Sequence, residues 1–289
     1  MNFIHPKFWP LWCLFALLRL IIALPRSAQL RISQGLGWLL FHLMRSRRNI
    51  ATQNIAHCFP KKTDAQVQTL VKAHFRELAQ MPLDTATVWW KRAADINPLL
   101  KEIRGLEHLQ TAQKHQQPVL LISGHFTGLD ICGALMSQFA DITVTYRKAD
   151  NPLMDRMITQ GREKFFPAAL TKQDTRGMLK TLKAGRVLWF APDQSIRGKG
   201  SIVTHFFGQP CYSTSAIHKL AKITGAVVLP YAYYREAEGY VLQIGQALDI
   251  PVESEQDTLT FHQNLEQEIL QHPEQYYWVH RKFNKFLDY

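Results

Sequence analysis

The run Val119-Leu120-Leu121-Ile122, with the turn Ser123-Gly124-His125 behind it, constrains the fold of this chain more than any other segment. Four consecutive apolar residues read as a buried strand. His125 then falls at the carboxyl end of that strand, where open α/β sheets bind their ligands. Similar strands are expected at 142–147, 187–190, 227–231 and 240–244. Helical periodicity fills 128–138, 152–165, 174–183 and 213–224, and a last helix carries Phe261, Leu265 and Ile269 on one face. This alternation predicts an α/β fold: a mixed, mostly parallel central sheet flanked by helices.

The amino-terminal part is different. Phe8 to Leu24 is apolar except for Arg19. As a helix it spans about 26 Å, slightly short of a ~30 Å hydrocarbon core. No A-x-A-like cleavage site follows, so a retained membrane anchor, spanning or lying in the interface, is expected rather than a signal peptide. A second apolar patch, Leu36 to Met44, precedes Arg45, Arg47 and Arg48, which suit an anionic cytoplasmic leaflet. Residues 1–60 are therefore expected to form a membrane anchor with interfacial helices, and residues 61–289 the α/β domain. Thr63 and Gln66 open the second part as a capping box. Val67, Leu70, Val71, His74, Phe75 and Leu78 make an amphipathic helix over 64–80, which Pro82 is expected to break or kink.

The formal net charge of +11 points to a polyanionic partner: nucleic acid, an anionic membrane surface or a phosphorylated substrate. Cys13, Cys58, Cys132 and Cys211 show no CxxC or zinc spacing and read as reduced thiols of a cytoplasmic domain. No GxSxG elbow, HExxH or complete P-loop occurs.

Three constellations are able to carry chemistry. His125 and Asp130 offer a general base with an orienting carboxylate. Taken alone, H-x4-D is a weak signal, because a capping histidine beside an unrelated aspartate produces the same spacing. The segment Ala191-Pro192-Asp193-Gln194-Ser195-Ile196-Arg197-Gly198-Lys199-Gly200 also follows an apolar strand, and Arg197 and Lys199 among glycines can bind phosphate. Arg147 at a strand end and Arg162 late in the next helix are bidentate phosphate ligands by type. The tail Tyr276-Tyr277-Trp278-Val279-His280-Arg281-Lys282-Phe283 reads as packing rather than chemistry.

The order of these segments resembles the bacterial late acyltransferases of lipid A synthesis, the lauroyl and myristoyl transferases. The resemblance runs from His5-Pro6-Lys7-Phe8-Trp9 through Arg48-Asn49-Ile50, Cys58-Phe59-Pro60, His125-Phe126 to Asp130, Tyr146-Arg147 and Gly161-Arg162. It continues through Trp189-Phe190-Ala191-Pro192-Asp193-Gln194, Phe206-Phe207-Gly208 and Pro273-Glu274-Gln275-Tyr276-Tyr277-Trp278-Val279-His280-Arg281. This chain has aspartate at position 130, where most members of that group carry glutamate.

The resemblance implies a glycerolipid-acyltransferase-like fold in an inner-membrane enzyme whose active site faces the cytoplasm. It implies transfer of a fatty acyl chain from acyl carrier protein to the 3-hydroxyl of an acyl chain on a lipid A precursor, with no metal and no cofactor beyond the acyl donor. The partners are then the carrier protein, the anionic glycolipid and the membrane, not nucleic acid. His125 is the implied base and Asp130 its partner. Arg162 and Arg147 are candidates for the acceptor's phosphate or sugar groups, Arg197 and Lys199 form a second tier, and Asp193 and Gln194 shape the pocket or bind the acceptor's polar headgroup. Two other readings stay open: an acyltransferase for a lysophospholipid or another glycolipid, and a non-enzymatic basic protein anchored to the membrane.

Overall fold

The computed structural model describes residues 3–198, 200–237 and 239–289, so Lys199 of the basic loop lies outside the described residues. The chain opens with helices α1 (Trp9–Ala23), α2 (Arg26–Leu43), α3 (Arg45–Cys58), α4 (Asp64–Trp90) and the single turn α5 (Ala93–Ile96). Strands and helices then alternate: β1 (Leu100–Arg104), α6 (Leu106–Lys114), β2 (Val119–Ile122), α7 (Leu129–Met136), β3 (Ile142–Tyr146), α8 (Pro152–Glu163), β4 (Ala168–Thr171), α9 (Thr175–Lys183) and β5 (Val187–Phe190). A hairpin of β6 (Ser201–Phe206) and β7 (Gln209–Thr214) precedes α10 (Ala216–Thr224), β8 (Val227–Glu236), β9 (Gly239–Ile244) and α11 (Ser254–Gln271).

The main sheet runs β1-β9-β8-β2-β5-β3-β4, and every neighbouring pair is parallel except β8 with β9. It is the mixed, mostly parallel sheet that the alternation of segments predicts. The chain moves one way along the sheet from β2 through β3 to β4, then back through β5 to β8. Right-handed crossovers therefore put α7 and α8 on one face and α9 and α10 on the other. Helix α4 packs on α7 and α8, whereas α10 packs on α9 and α11. Both faces of β2 are thus covered, which is why its four residues are all apolar and fully buried.

Helices α1, α2 and α3 all pack against α4. Ala51, Ile55 and Cys58 of α3 join the same core as the sheet. The segment Pro6–Ala23 is long and apolar enough to cross a membrane by length and composition. One stripe of α1 is nevertheless buried: Phe15, Leu18 and Ile22, at helical spacing. Phe15 meets Trp89 and Trp90 edge to face, and Leu18 and Ile22 pack on Leu83 and Ala86. The other stripe is bare, with Trp9, Trp12, Leu17 and Leu20 exposed, and Trp38 and Leu43 of α2 are exposed as well.

Pro82 does not end α4, which continues to Trp90. A proline inside a helix costs about 3 kcal/mol. Burial of Leu83, Ala86 and Val88 behind it offsets that cost, at roughly 1.5–3 kcal/mol for each large apolar side chain. Strands β1 and β4 lie at the two edges of the sheet; β1 carries no apolar run and β4 only the short Ala168-Ala169-Leu170, so pattern alone passes over them. The β6–β7 hairpin turns through Phe207 and Gly208, whose positive φ angles of 51° and 71° fit a type I′ turn.

Candidate active site

Strands β2 and β5 are parallel neighbours, with Ile122 opposite Phe190. Three residues beyond each of these stand His125 and Asp193. The register therefore carries them to the same place at the carboxyl edge of the sheet. The Nδ1 of His125 lies 2.5 Å from Oδ1 of Asp193, and the main-chain N–H of His125 donates to Oδ2 at 2.9 Å. The Tyr276 hydroxyl donates to the same Oδ2 at 3.0 Å. The Asp193 side chain is 2% exposed, against 29% for His125.

Burial alone would raise the Asp193 carboxyl. The His125 charge, its hydrogen bonds and the Lys282 ammonium outweigh that and hold it well below the usual carboxylate range. For His125, burial pushes the imidazole down, but the Asp193 charge and hydrogen bond win, and its pKa is raised. An ionised carboxylate only accepts, so it fixes the proton of the neutral ring on Nδ1. Nε2 is left as the basic nitrogen.

The carboxy-terminal segment straps this dyad down. Tyr277 N–H donates to the His125 carbonyl, Thr127 N–H to the Gln275 carbonyl, and Phe126 bridges to Tyr276. Asn54 of α3 in turn donates to the carbonyls of Trp278 and His280, both at 2.7 Å. Lys282, 3% exposed, donates to the Asp193 carbonyl at 2.5 Å, and its ammonium lies 4.6 Å from the centre of the Phe206 ring. It also lies 3.3 Å from Nε2 of His262. Nδ1 of His262 faces the His205 carbonyl at 2.8 Å, so Nδ1 carries the proton and Nε2 accepts from Lys282. Burial first, and Lys282 second, keep His262 neutral. Burial likewise lowers His280 to about 4, and its Nε2 accepts from the Ser195 N–H. The tail thus does more than pack: Tyr276 and Lys282 both hold Asp193.

Asp130 does not orient the imidazole. Helix α7 begins at Leu129, and its first turn directs the Asp130 carboxylate to Arg162 of α8, at 3.2 Å, and to the Thr85 hydroxyl of α4, at 2.7 Å. The expected partner of His125 is therefore replaced by Asp193, while Asp130 and Arg162 form a second, half-buried pair nearby. Gly161 makes that pair reachable. A Cβ there would lie 2.3 Å from Trp89, so only glycine lets α8 approach α4 this closely. Arg162 also lies over the Tyr146 ring, 5.6 Å from its centre.

His125 of the dyad and the Asp130–Arg162 pair line one cavity of about 1040 Å³, while Asp193 stays buried behind the imidazole. Its wall is largely apolar, including Val144, Phe166, Met178, Leu179 and Leu220, and Gln194 and Arg147 contribute polar groups. The head of Arg147 pairs with the exposed Asp150 at 3.4 Å, a contact of little energetic weight. Arg197 is exposed and is not among the residues lining the cavity. Among the described residues no group of three or more potential metal ligands occurs. In its neutral form an imidazole with the proton fixed on Nδ1, at the wall of a large, mostly apolar cavity, is equipped to take a proton from a hydroxyl on a lipid-like substrate.

Comparison with known proteins agrees with that chemistry. A family model described as bacterial lipid A biosynthesis acyltransferase matches residues 1–285. The lipid A biosynthesis palmitoleoyltransferase of Escherichia coli K12 is 29% identical over 286 residues, covering 98% of this chain and 93% of the relative. The lauroyltransferase of the same organism is 28% identical, covering 97% and 93%. Its myristoyltransferase is 25% identical, covering 96% and 88%. With the match running over nearly its whole length, this chain belongs to the bacterial lipid A biosynthesis acyltransferase family.

Proposed function

We propose that the protein transfers a fatty acyl chain, of the lauroyl or myristoyl class, from acyl carrier protein to the 3-hydroxyl of an acyl chain on a lipid A precursor. The reaction takes place at the cytoplasmic face of the inner membrane. The observation that carries the proposal is an imidazole, His125, held by the buried Asp193 on the wall of a large, mostly apolar cavity. The bare apolar stripes of α1 and α2 support a membrane location.

Nε2 of His125 takes the proton of the acceptor hydroxyl. The alkoxide oxygen attacks the thioester carbonyl and forms the new ester bond. The carbon–sulfur bond breaks, and the imidazolium returns its proton to the departing thiolate. Asp193 stabilises the imidazolium between the two transfers. The thioester is already activated, so the transfer as written consumes no cofactor and forms no acyl-enzyme. Arg162, aligned by Asp130, is the candidate for a phosphate or sugar group of the acceptor.

The test is mass spectrometry of lipid A from cells with and without the gene, with wild type and His125→Ala restored in parallel. Loss of one secondary chain, recovered with wild type alone, is the expected result, and the mass difference reads the chain transferred. Unchanged lipid A in a strain with no second copy, or full recovery with His125→Ala, overturns the proposal.

A further inference from the structure

The formal charge of +11 is not spread evenly. Arg176, Lys180 and Lys183 recur at helical spacing along α9 and are all exposed, while Met178 and Leu182 on its other side are buried. Arg186 follows α9, and Lys222 lies on α10, which packs against it; both are exposed. Neither helix contains an aspartate or glutamate. The nearby Asp174 is engaged with the Gly177 N–H as the cap of α9. Among the described residues none of these cations is in an ion pair. Lys180, Lys183 and Lys222 fall in the last turns of their helices, where the helix dipole favours a cation, but like charges at this spacing repel, and the dipole does not account for Arg176 or Arg186.

Its position gives it a use. Lys172 and Lys219, two further exposed cations, line the cavity together with Thr175 and Ile223. The basic face therefore leads directly into the cavity that holds His125. It also lies on the opposite face of the sheet from α4, α7 and α8, and so from α1 and α2, which carry the exposed tryptophans. Ile223 is the one large apolar side chain exposed on α9 and α10, among the described residues. A membrane-inserting surface has apolar anchors, and this face lacks them.

We infer that the α9–α10 face docks an acidic soluble protein that carries the acyl donor, and that the acyl chain enters the cavity past Lys219 and Ile223. The acceptor lipid then arrives from the α1–α2 side. The docking face rests on the carrier-bound donor proposed above, and it adds the surface and the direction of entry. One-signed surface charge acts mainly on encounter. The face should therefore govern the KM for a carrier-bound donor, not the chemical step.

The test compares two donors bearing the same chain: acyl carrier protein and free pantetheine. It uses the full-length protein and the triple variant Arg176→Glu/Lys180→Glu/Lys183→Glu. For wild type, the KM for the carrier-bound donor should rise with salt. For the triple variant it should rise roughly tenfold or more at low salt, with kcat retained and the pantetheine reaction unchanged. An unchanged KM for the carrier-bound donor overturns the inference. If the triple variant loses both reactions together, the decision passes to Lys222→Glu: a selective rise in carrier KM supports the face, and equal kinetics overturn it. Loss of binding to phosphatidylglycerol vesicles with intact carrier kinetics would assign the face to lipid and also overturn the inference. Wild type that transfers from pantetheine but not from the carrier would instead refute the carrier-bound donor itself, and the docking face with it.

Discussion

Two carboxylates flank the site, and they live in different surroundings. Asp193 is 2% exposed and engaged at both oxygens by His125 and Tyr276. Asp130 is 24% exposed and faces the cavity with Arg162. The buried carboxylate has hydrogen bonds that fix an imidazole tautomer, and the low local dielectric strengthens them. The more exposed one holds a guanidinium at the cavity wall, where it can meet a ligand. The difference teaches that the short H-x4-D spacing brings a histidine near an aspartate that serves an arginine, while the imidazole is oriented by a residue beyond another strand.

Substitutions can break or sharpen this contrast. Asp193→Asn should lower kcat by roughly 10³–10⁴-fold with little change in KM, because the ring loses its fixed tautomer and its stabilised imidazolium. Steady-state kinetics on purified protein measure this. Asp130→Asn should lower kcat/KM only about ten- to hundredfold, chiefly through the acceptor KM, since it leaves the dyad intact and frees Arg162. An Asp130→Asn defect as deep as that of Asp193→Asn would erase the contrast.

Gly161→Ala should lower stability by about 1–3 kcal/mol, because the new methyl collides with Trp89 and pushes α8 off α4. Thermal unfolding reads the loss. A parallel rise in acceptor KM would tie the helix spacing to Arg162.

The smallest effect should be a shift in pH dependence with Lys282→Met. In the proposed mechanism His125 must be neutral to act, and its pKa is raised above the ordinary 6.5, so activity should fall as pH drops through that raised value. Asp193 raises it, while Arg162 and Lys282 lower it. His280, which is neutral, and Tyr276 also stand beside the dyad. Removing the Lys282 charge favours the imidazolium, so the acid limb of kcat/KM should move to higher pH. An unmoved limb would reduce Lys282 to a structural prop. In stability terms, the His125–Asp193 interaction is fully present below the unfolded histidine pKa and is lost as pH rises through the raised folded value.

Much of this was legible before any fold was known. The apolar runs 119–122, 187–190 and 227–231 are strands because both faces of a mostly parallel sheet are covered. The place of His125 just past one of them needed only local pattern. Strands β1 and β4 were not legible, since edge strands such as Leu-Lys-Glu-Ile-Arg carry no such run. The roles of Tyr276 and Lys282 were hidden in an aromatic tail whose composition reads as packing. Asp193 was visible as a pocket residue, but nothing local joins it to a histidine 68 residues away.

By itself the sequence determined which segments are buried strands and that a histidine stands at the end of one, because hydrophobic pattern and chain order decide both. Tertiary structure alone decided which carboxylate that histidine meets. Pairing β2 beside β5, with Ile122 opposite Phe190, sets His125 against Asp193. The first turn of α7 directs Asp130 to an arginine on another helix instead. Strand order and register are properties of the whole packed sheet, and no single segment encodes them.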